Sequence, residues 1–256
     1  MDIHEAEETF HILRFSVGDL ENMEEAEAAF LSLTTFLVGE INTFARMYLC
    51  SAHDFEGDYL VDWAAISQRA VLMRVWSAKL YEFFDLLKSE DKPGKDRPSW
   101  LKSCIARGND EALQLRQGRG WEIVSALRND VTYHLKEKPA RKNLKHITPG
   151  VDLNFYVTER NSNSIFMLGE EVMFNGRLNR HSNRDVTLEE RSNSLREWSE
   201  WNSQATKLAV KFQWELVKKL VLPLQAPLPL ATKVVTMGAE KIGDATAVKV
   251  PLFDRC

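Results

Sequence analysis

The amino-acid sequence predicts a mainly α-helical protein, an up-and-down helical bundle with a small β-hairpin inserted before its last long helix. Three observations carry that expectation. Apolar residues recur at three- and four-residue spacing through two long stretches, about 22–52 and 59–90. A third stretch, about 187–221, places Trp198, Trp201, Ala205, Leu208 and Phe212 at spacings of 3, 4, 3 and 4, the seam of a bundle helix. Between them, 152–157 and 165–174 alternate and are rich in aromatic and β-branched residues, with the polar Asn161-Ser162-Asn163-Ser164 as the turn.

The elements follow in order. Residues 1–21 form an acidic, strand-like N-terminal segment. Asn22 is placed to cap the first long helix, with Glu24, Glu25 and Glu27 at the positive end of its dipole. Its stripe is Phe30, Leu33, Leu37, Ile41, Phe44 and Tyr48. Asp58 caps the second helix, whose stripe is Trp63, Ile66, Ala70, Met73, Leu80, Phe84 and Leu87. Lys92-Pro93-Gly94-Lys95 stops it. Shorter helices are expected over Trp100–Arg107 and 110–117, and from Trp121 into the mid-130s, with Pro139 as the stop. The hairpin occupies about 150–176, and the bundle as a whole 22–222. The tail, 223–256, holds Pro223, Pro227, Pro229 and Pro251 and reads as loop with one short strand near Lys233–Thr236.

Composition narrows the class. The 256 residues are 44% hydrophobic, enough for a sizeable core. A net charge of -4 excludes a histone-like protein. Cys50, Cys104 and Cys256 are too scattered for a disulfide framework or a cysteine zinc site, and their odd number suits a reducing cytosol. The N-terminus opens acidic, without an apolar leader core, and the apolar stretches read as too broken for a bilayer span. The expectation is a soluble cytoplasmic protein with no membrane partner, no metal and no cofactor. Charge is uneven. Residues 92–146 hold 13 Lys/Arg against 6 Asp/Glu, whereas residues 1–27 hold nine acidic groups and Arg14 alone as a base. A basic middle on an acidic chain points to an anionic partner for one face, or to a solvated connector between helices.

Within that basic segment stands Arg128-Asn129-Asp130-Val131-Thr132-Tyr133-His134. Three pairs in the chain fit R-x(4–6)-H, the others being Arg46 with His53 and Arg141 with His146. Requiring Asn, Asp or His directly after the arginine leaves only Arg128–His134, against roughly 0.15 such matches expected by chance. The pattern resembles the signature of HEPN domains, α-helical bundles that include many metal-independent ribonucleases. The resemblance covers about 22–138, with the long helix after the hairpin as a further part. It implies a homodimer in which both motifs line one cleft, RNA as substrate and a 2′,3′-cyclic phosphate product. It also implies a toxin or antiphage effector with an antitoxin or regulatory partner. Some toxins of the family carry a modifiable Tyr two residues after the His. Lys136 stands there in this chain, which puts that mode of neutralisation in doubt.

The residue types suit the chemistry. His134 can move protons near neutral pH. Arg128 can fork two phosphate oxygens. Asn129 and Asp130 are placed to orient the pair, and Arg116, Arg119, Lys136 and Arg141 are candidate RNA contacts. In one straight helix Arg128 and His134 would lie ~120° and ~9 Å apart. The pair therefore needs either a helix break near Asn129-Asp130 or a second chain. The structural alternative pairs Arg128 with a carboxylate such as Glu122 and lets His134 serve a helix C-terminus. The whole chain then reads as a non-catalytic, dimeric helical interaction module, or a nucleotide-binding one.

Weaker features have simpler explanations. His53-Asp54-Phe55-Glu56-Gly57-Asp58 gathers a His and three carboxylates, but helix capping explains it without a metal. Gly118-Arg119-Gly120 reads as a turn rather than a phosphate loop. The basic run Gly176-Arg177 to Arg184 reads as a connector or an RNA-backbone contact. Trp63, Trp76, Trp198, Trp201 and Trp214 read as core or dimer contacts.

Overall fold

A computed structural model describes residues 6–52, 57–128, 137–158, 163–182, 187–225, 231–237 and 252. The fold is mainly α, as the sequence predicts. Three long helices make its frame: α2 (Glu25–Cys50), α3 (Tyr59–Glu90) and α9 (Leu188–Leu220). Each packs on the other two, and α4 (Ser99–Leu115) and α5 (Arg119–Leu127) close the bundle against α3 and α9. Ile41, Leu80, Phe83, Phe84, Leu87, Leu101, Ile105 and Leu216 have no exposed surface. Each such side chain contributes about 1.5–3 kcal/mol of burial free energy.

Local chemistry sets most helix ends. Asp58 accepts from the amides of Leu60 and Val61 and so caps α3, as expected. Thr187 and Glu190 form a reciprocal capping box on α9. At the N-terminus the expectation needs correction. Ser16 and Asp19 build a capping box on a short helix α1 (Val17–Glu21), Asn22 closes that helix, and α2 starts at Glu25. The two short helices expected at 100–107 and 110–117 are one helix, α4, running through Gly108. Its side-chain-free face sits against the Phe212 ring, where a Cβ would come within 2.7 Å. Leu33 on α2 is exposed rather than buried, because the buried stripe runs through Phe30, Leu31, Thr34, Leu37, Val38 and Ile41. By length and mean hydropathy α2 could cross a membrane, contrary to the expectation that every apolar stretch is too broken; in the bundle its inner face is core.

The hairpin is present but much shorter than 150–176. Among the described residues there, only Phe155–Tyr156 (β2) and Ile165–Phe166 (β3) pair, antiparallel. The chain then turns helical through α7 (Met167–Glu170), a π-helical turn (Glu171–Asn175) and α8 (Gly176–Ser182). Met167, Glu171, Phe174 and Leu178 are buried at spacings of 4, 3 and 4, so a helical period underlies what looked like alternation. In the tail the strand expected near Lys233–Thr236 is present and longer. Ala231–Met237 (β4) pairs antiparallel with Ala6–Ile12 (β1), with Phe10 opposite Lys233. The Gln225 side chain ties the two ends together. Its Oε1 accepts from the Arg14 amide at 2.8 Å and its Nε2 donates to the Arg14 carbonyl at 2.6 Å.

Inside the bundle one hydroxyl holds a polar junction. The Ser77 hydroxyl accepts the Trp198 Nε1–H at 2.7 Å and lies 2.6 Å from the Met73 carbonyl oxygen and 3.0 Å from Asn202 Oδ1. All of these side chains are buried. Ser77→Ala would strand the Trp198 N–H without an acceptor and is expected to cost about 1–3 kcal/mol in denaturant unfolding. At the hairpin, the Tyr156 hydroxyl donates to Asp152 Oδ2 at 2.6 Å, and this bond to the carboxylate pushes the phenol up to about 12. The bond's contribution is therefore complete below pH ~10 and lost as pH rises through the folded value. Ultraviolet titration is expected to show one tyrosine ionising near pH 12, and Asp152→Asn should return that step toward pH ~10.

Candidate functional site

Arg128 is the one member of the sequence motif among the described residues. Asn129, Asp130, His134 and Lys136 lie outside them, as do His53 to Glu56. Arg128 caps the C-terminal end of α5. Its guanidinium carbon stands 4.8 Å from the centroid of the Tyr81 ring on α3. Tyr81 in turn stacks on Trp121 of α5, centroids 4.9 Å apart and planes within 1°. Gly120 makes that approach possible. A Cβ there would fall 2.3 Å from the Trp201 Cβ, so only glycine lets α5 press onto α9. The motif arginine is thus mounted on a rigid aromatic base, not on a free helix surface.

Arg116, expected as an RNA contact, has a different position. Its Nη2 donates to the Phe84 carbonyl at 2.5 Å and its Nη1 to Asn109 Oδ1 at 3.1 Å. The guanidinium also lies 5.8 Å from the Trp121 ring. Burial lowers its pKa, which the nearby Asp85 charge partly opposes. It still stays charged at any ordinary pH. This arginine ties the end of α4 to α3. Arg119 pairs with Glu122 at 3.2 Å on the surface of α5.

Helix α6 (Glu137–Asn143) carries a cluster of cations. Pro139, expected as a helix stop, instead lies within α6. Lys138, Arg141, Lys142 and Lys145 recur on one face, and with His146 and Arg180 they line an open hollow of about 530 Å³. Among the described residues Glu137 is the one acidic group lining it, and it bridges Arg141 at 2.6 Å. That pair is largely exposed and weakly binding, so Arg141 is available to a phosphate. The floor is built. Buried Asn179 donates from Nδ2 to the His146 carbonyl at 2.7 Å and to Thr148 Oγ1 at 3.1 Å. Gly176 sits where a Cβ would fall 3.0 Å from the Asn143 carbonyl oxygen, which lets α8 lie close on α6. Helix α8 also touches α5, the helix of Arg128.

Sequence reasoning found Arg141 and the basic run around Arg180 but not Lys138, Lys142, Lys145 and His146 as one surface. The signal was the 3, 1, 3 spacing of the four cations, hidden by reading Pro139 as a terminator. Among the described residues no group of three or more His, Cys, Asp or Glu side chains is arranged to hold a metal ion. No protein-family model, no curated protein and no solved structure matches this chain.

Proposed function

We propose that this protein is a metal-independent endoribonuclease of the HEPN type. The observation that supports it best is the built, cation-lined hollow of α6 and α8, in a chain of net negative charge and directly after the Arg128–His134 motif. In this reading RNA lies along Lys138, Arg141, Lys142, Lys145 and Arg180, and Arg119 and Lys136 are further candidate contacts. Arg116 takes no part, since its donors are spent within the fold. His134 takes the proton of a 2′-hydroxyl, and the 2′-oxygen attacks the adjacent phosphorus. The bond to the 5′-oxygen breaks, and that oxygen takes up a proton. The products are a 2′,3′-cyclic phosphate and a 5′-hydroxyl. Arg128 neutralises charge building on the phosphoryl oxygens, and Asn129 and Asp130 orient the pair.

The proposed assembly is a cytoplasmic homodimer that brings two motifs to one cleft. Leu33, Phe36 and Met47 leave an apolar strip exposed on the outer side of α2, which suits a second copy. A toxin or antiphage role under a regulatory partner fits the same reading. A second reading has its own observation. Arg141 and His146, another R-x(4–6)-H pair, line the same hollow and offer the same two groups.

RNA cleavage in EDTA tests both. Wild type is expected to leave 2′,3′-cyclic phosphate ends. His134→Ala should lower the rate by about 10²–10⁴-fold, and His146→Ala should leave it within a fewfold of wild type. The reverse pattern moves the chemistry to His146, and no cleavage by wild type leaves an RNA-binding or interaction module. Arg128→Lys keeps a cation over Tyr81 and is expected to fold normally while losing most of the activity. Equal activity would remove Arg128 from the reaction. Independently, replacing Lys142, Lys145 and Arg180 with Ala should flatten the salt dependence of single-stranded RNA binding. The expected change is about 0.7 in log–log slope for each phosphate no longer neutralised.

A further inference from the structure

Helix α2 has an outer face that the bundle leaves uncovered. Its most apolar stretch is only 33% buried, and Phe36, at the middle of the helix, is 66% exposed. Leu33 and Met47 stand out along the same line. Single apolar residues on a surface need no partner, whereas a strip along one helix marks an interaction site. Three further features share that face. Gly39 lies one turn beyond Phe36, and a Cβ there would meet nothing within 4 Å, so an open notch adjoins a projecting ring. Toward the N-terminal end, Ala29 lines an open hollow of about 470 Å³ with Glu24, Glu25 and Asp96. Among the described residues no cation pairs with those carboxylates. Toward the C-terminal end Arg46 is exposed, its Nη2 donating to Thr43 Oγ1 at 3.2 Å.

These features answer one another in a single antiparallel pairing. Place Phe36 opposite Gly39 of a second α2 that runs the other way. Ala29 lies about two turns before Phe36, and Arg46 about two turns after Gly39. The same register therefore sets Arg46 of one copy against the acidic hollow around Ala29 of the other. Ser32 falls opposite Thr43, two exposed residues small enough to let the helices approach. Under two-fold symmetry every such contact occurs twice, so one face supplies both knob and notch, both cation and carboxylates. A parallel pairing would set the acidic ends together and Arg46 against Arg46, a like-charge arrangement that opposes association. Antiparallel helices also bring opposite dipole ends side by side.

We infer that the outer face of α2 docks a second copy of this chain, antiparallel, with the Phe36 ring of each copy seated over Gly39 of the other and Arg46 of each in the acidic hollow of the other. This gives the homodimer of the proposed nuclease its contact. Its role rests on that reading, but the contact itself is measured without RNA. From Glu25 to Arg46 the face is ~33 Å long. One aromatic anchor from each copy over that length suits micromolar association.

Sedimentation equilibrium of the full chain tests it. Wild type is expected to pass from one chain to two across about 1–100 μM. Phe36→Asp should raise the dissociation constant at least about tenfold. Gly39→Leu fills the notch where the fold itself has room, and should do the same with the circular dichroism unchanged. Arg46→Glu should also weaken the dimer about tenfold. Adding Glu24→Arg and Glu25→Arg to that chain should restore the constant to within about threefold of wild type, a rescue that a merely weakened helix would not show. The inference is overturned by a wild type that stays a single chain at the top of that range. It is equally overturned by a dimer that Phe36→Asp and Gly39→Leu leave intact, or by a folded charge-exchanged chain that does not recover. A dimer with these responses in a protein that cleaves no RNA keeps the contact and removes only the nuclease reading.

Discussion

Helix α9 can occupy only one position, because three buried indoles must each find an acceptor across a helix interface. Trp198 donates to Ser77 of α3, Trp201 donates to the Leu115 carbonyl at the end of α4, and Trp76 of α3 donates to Thr206 of α9. These bonds fix the rotation and height of α9 against both neighbours. A slip of one turn would bury three unsatisfied N–H groups. Gly108 and Gly120 then clear the space that the Phe212 ring and the Trp201 side chain need. With α9 seated, α5 is set against it, the Trp121 ring is set against Tyr81, and Arg128 is carried over Tyr81. The position of the motif arginine thus follows from core packing some distance from it.

The segment from Met167 to Ser182 serves two surfaces of opposite character. Its first half turns a carboxylate and an aromatic ring into an apolar cavity, and its second half delivers Arg180 to a basic hollow. The two surfaces need different environments. A surface proposed to bind phosphate works in contact with water, where long cationic side chains stay hydrated until the anion arrives. The apolar cavity needs the reverse, walls that exclude water. The π-helical turn gives the rod its change of face between the two.

Charge and shape act together in the proposed nuclease. The chain is acidic overall, so its cation-lined hollow stands out against a repelling background and would steer a polyanion to one place. Arg116 and Arg141 show why charge counts alone do not identify an RNA-binding face. Both lie within the basic stretch, yet Arg116 is consumed by the Phe84 carbonyl and Asn109, whereas Arg141, tied only to an exposed partner, stays available.

By itself the sequence determined the long elements and the character of their faces. A 3.6-residue period is a local property, so the bounds of α3 and α9 could be read off nearly to the residue, and the cap at Asp58 with them, although Ile66 of the expected α3 stripe is exposed. The RNxxxxH pattern and the basic stretch around it were equally visible, because they depend only on order along the chain. What depended on contacts between distant residues was decided by tertiary structure. The pairing of β1 with β4 joins the two ends of the chain, and no local signal marks a partner that far away. The helical continuation after β3 was hidden because a few residues satisfy a period of 2 and of 3.6 equally well; burial against the bundle made it helical. The gathering of Lys138, Lys142, Lys145 and His146 with Arg180 likewise required α8 to fold back on α6, through Gly176 and Asn179. Periodicity and chemical type are written along a chain, whereas proximity is created only when its helices pack.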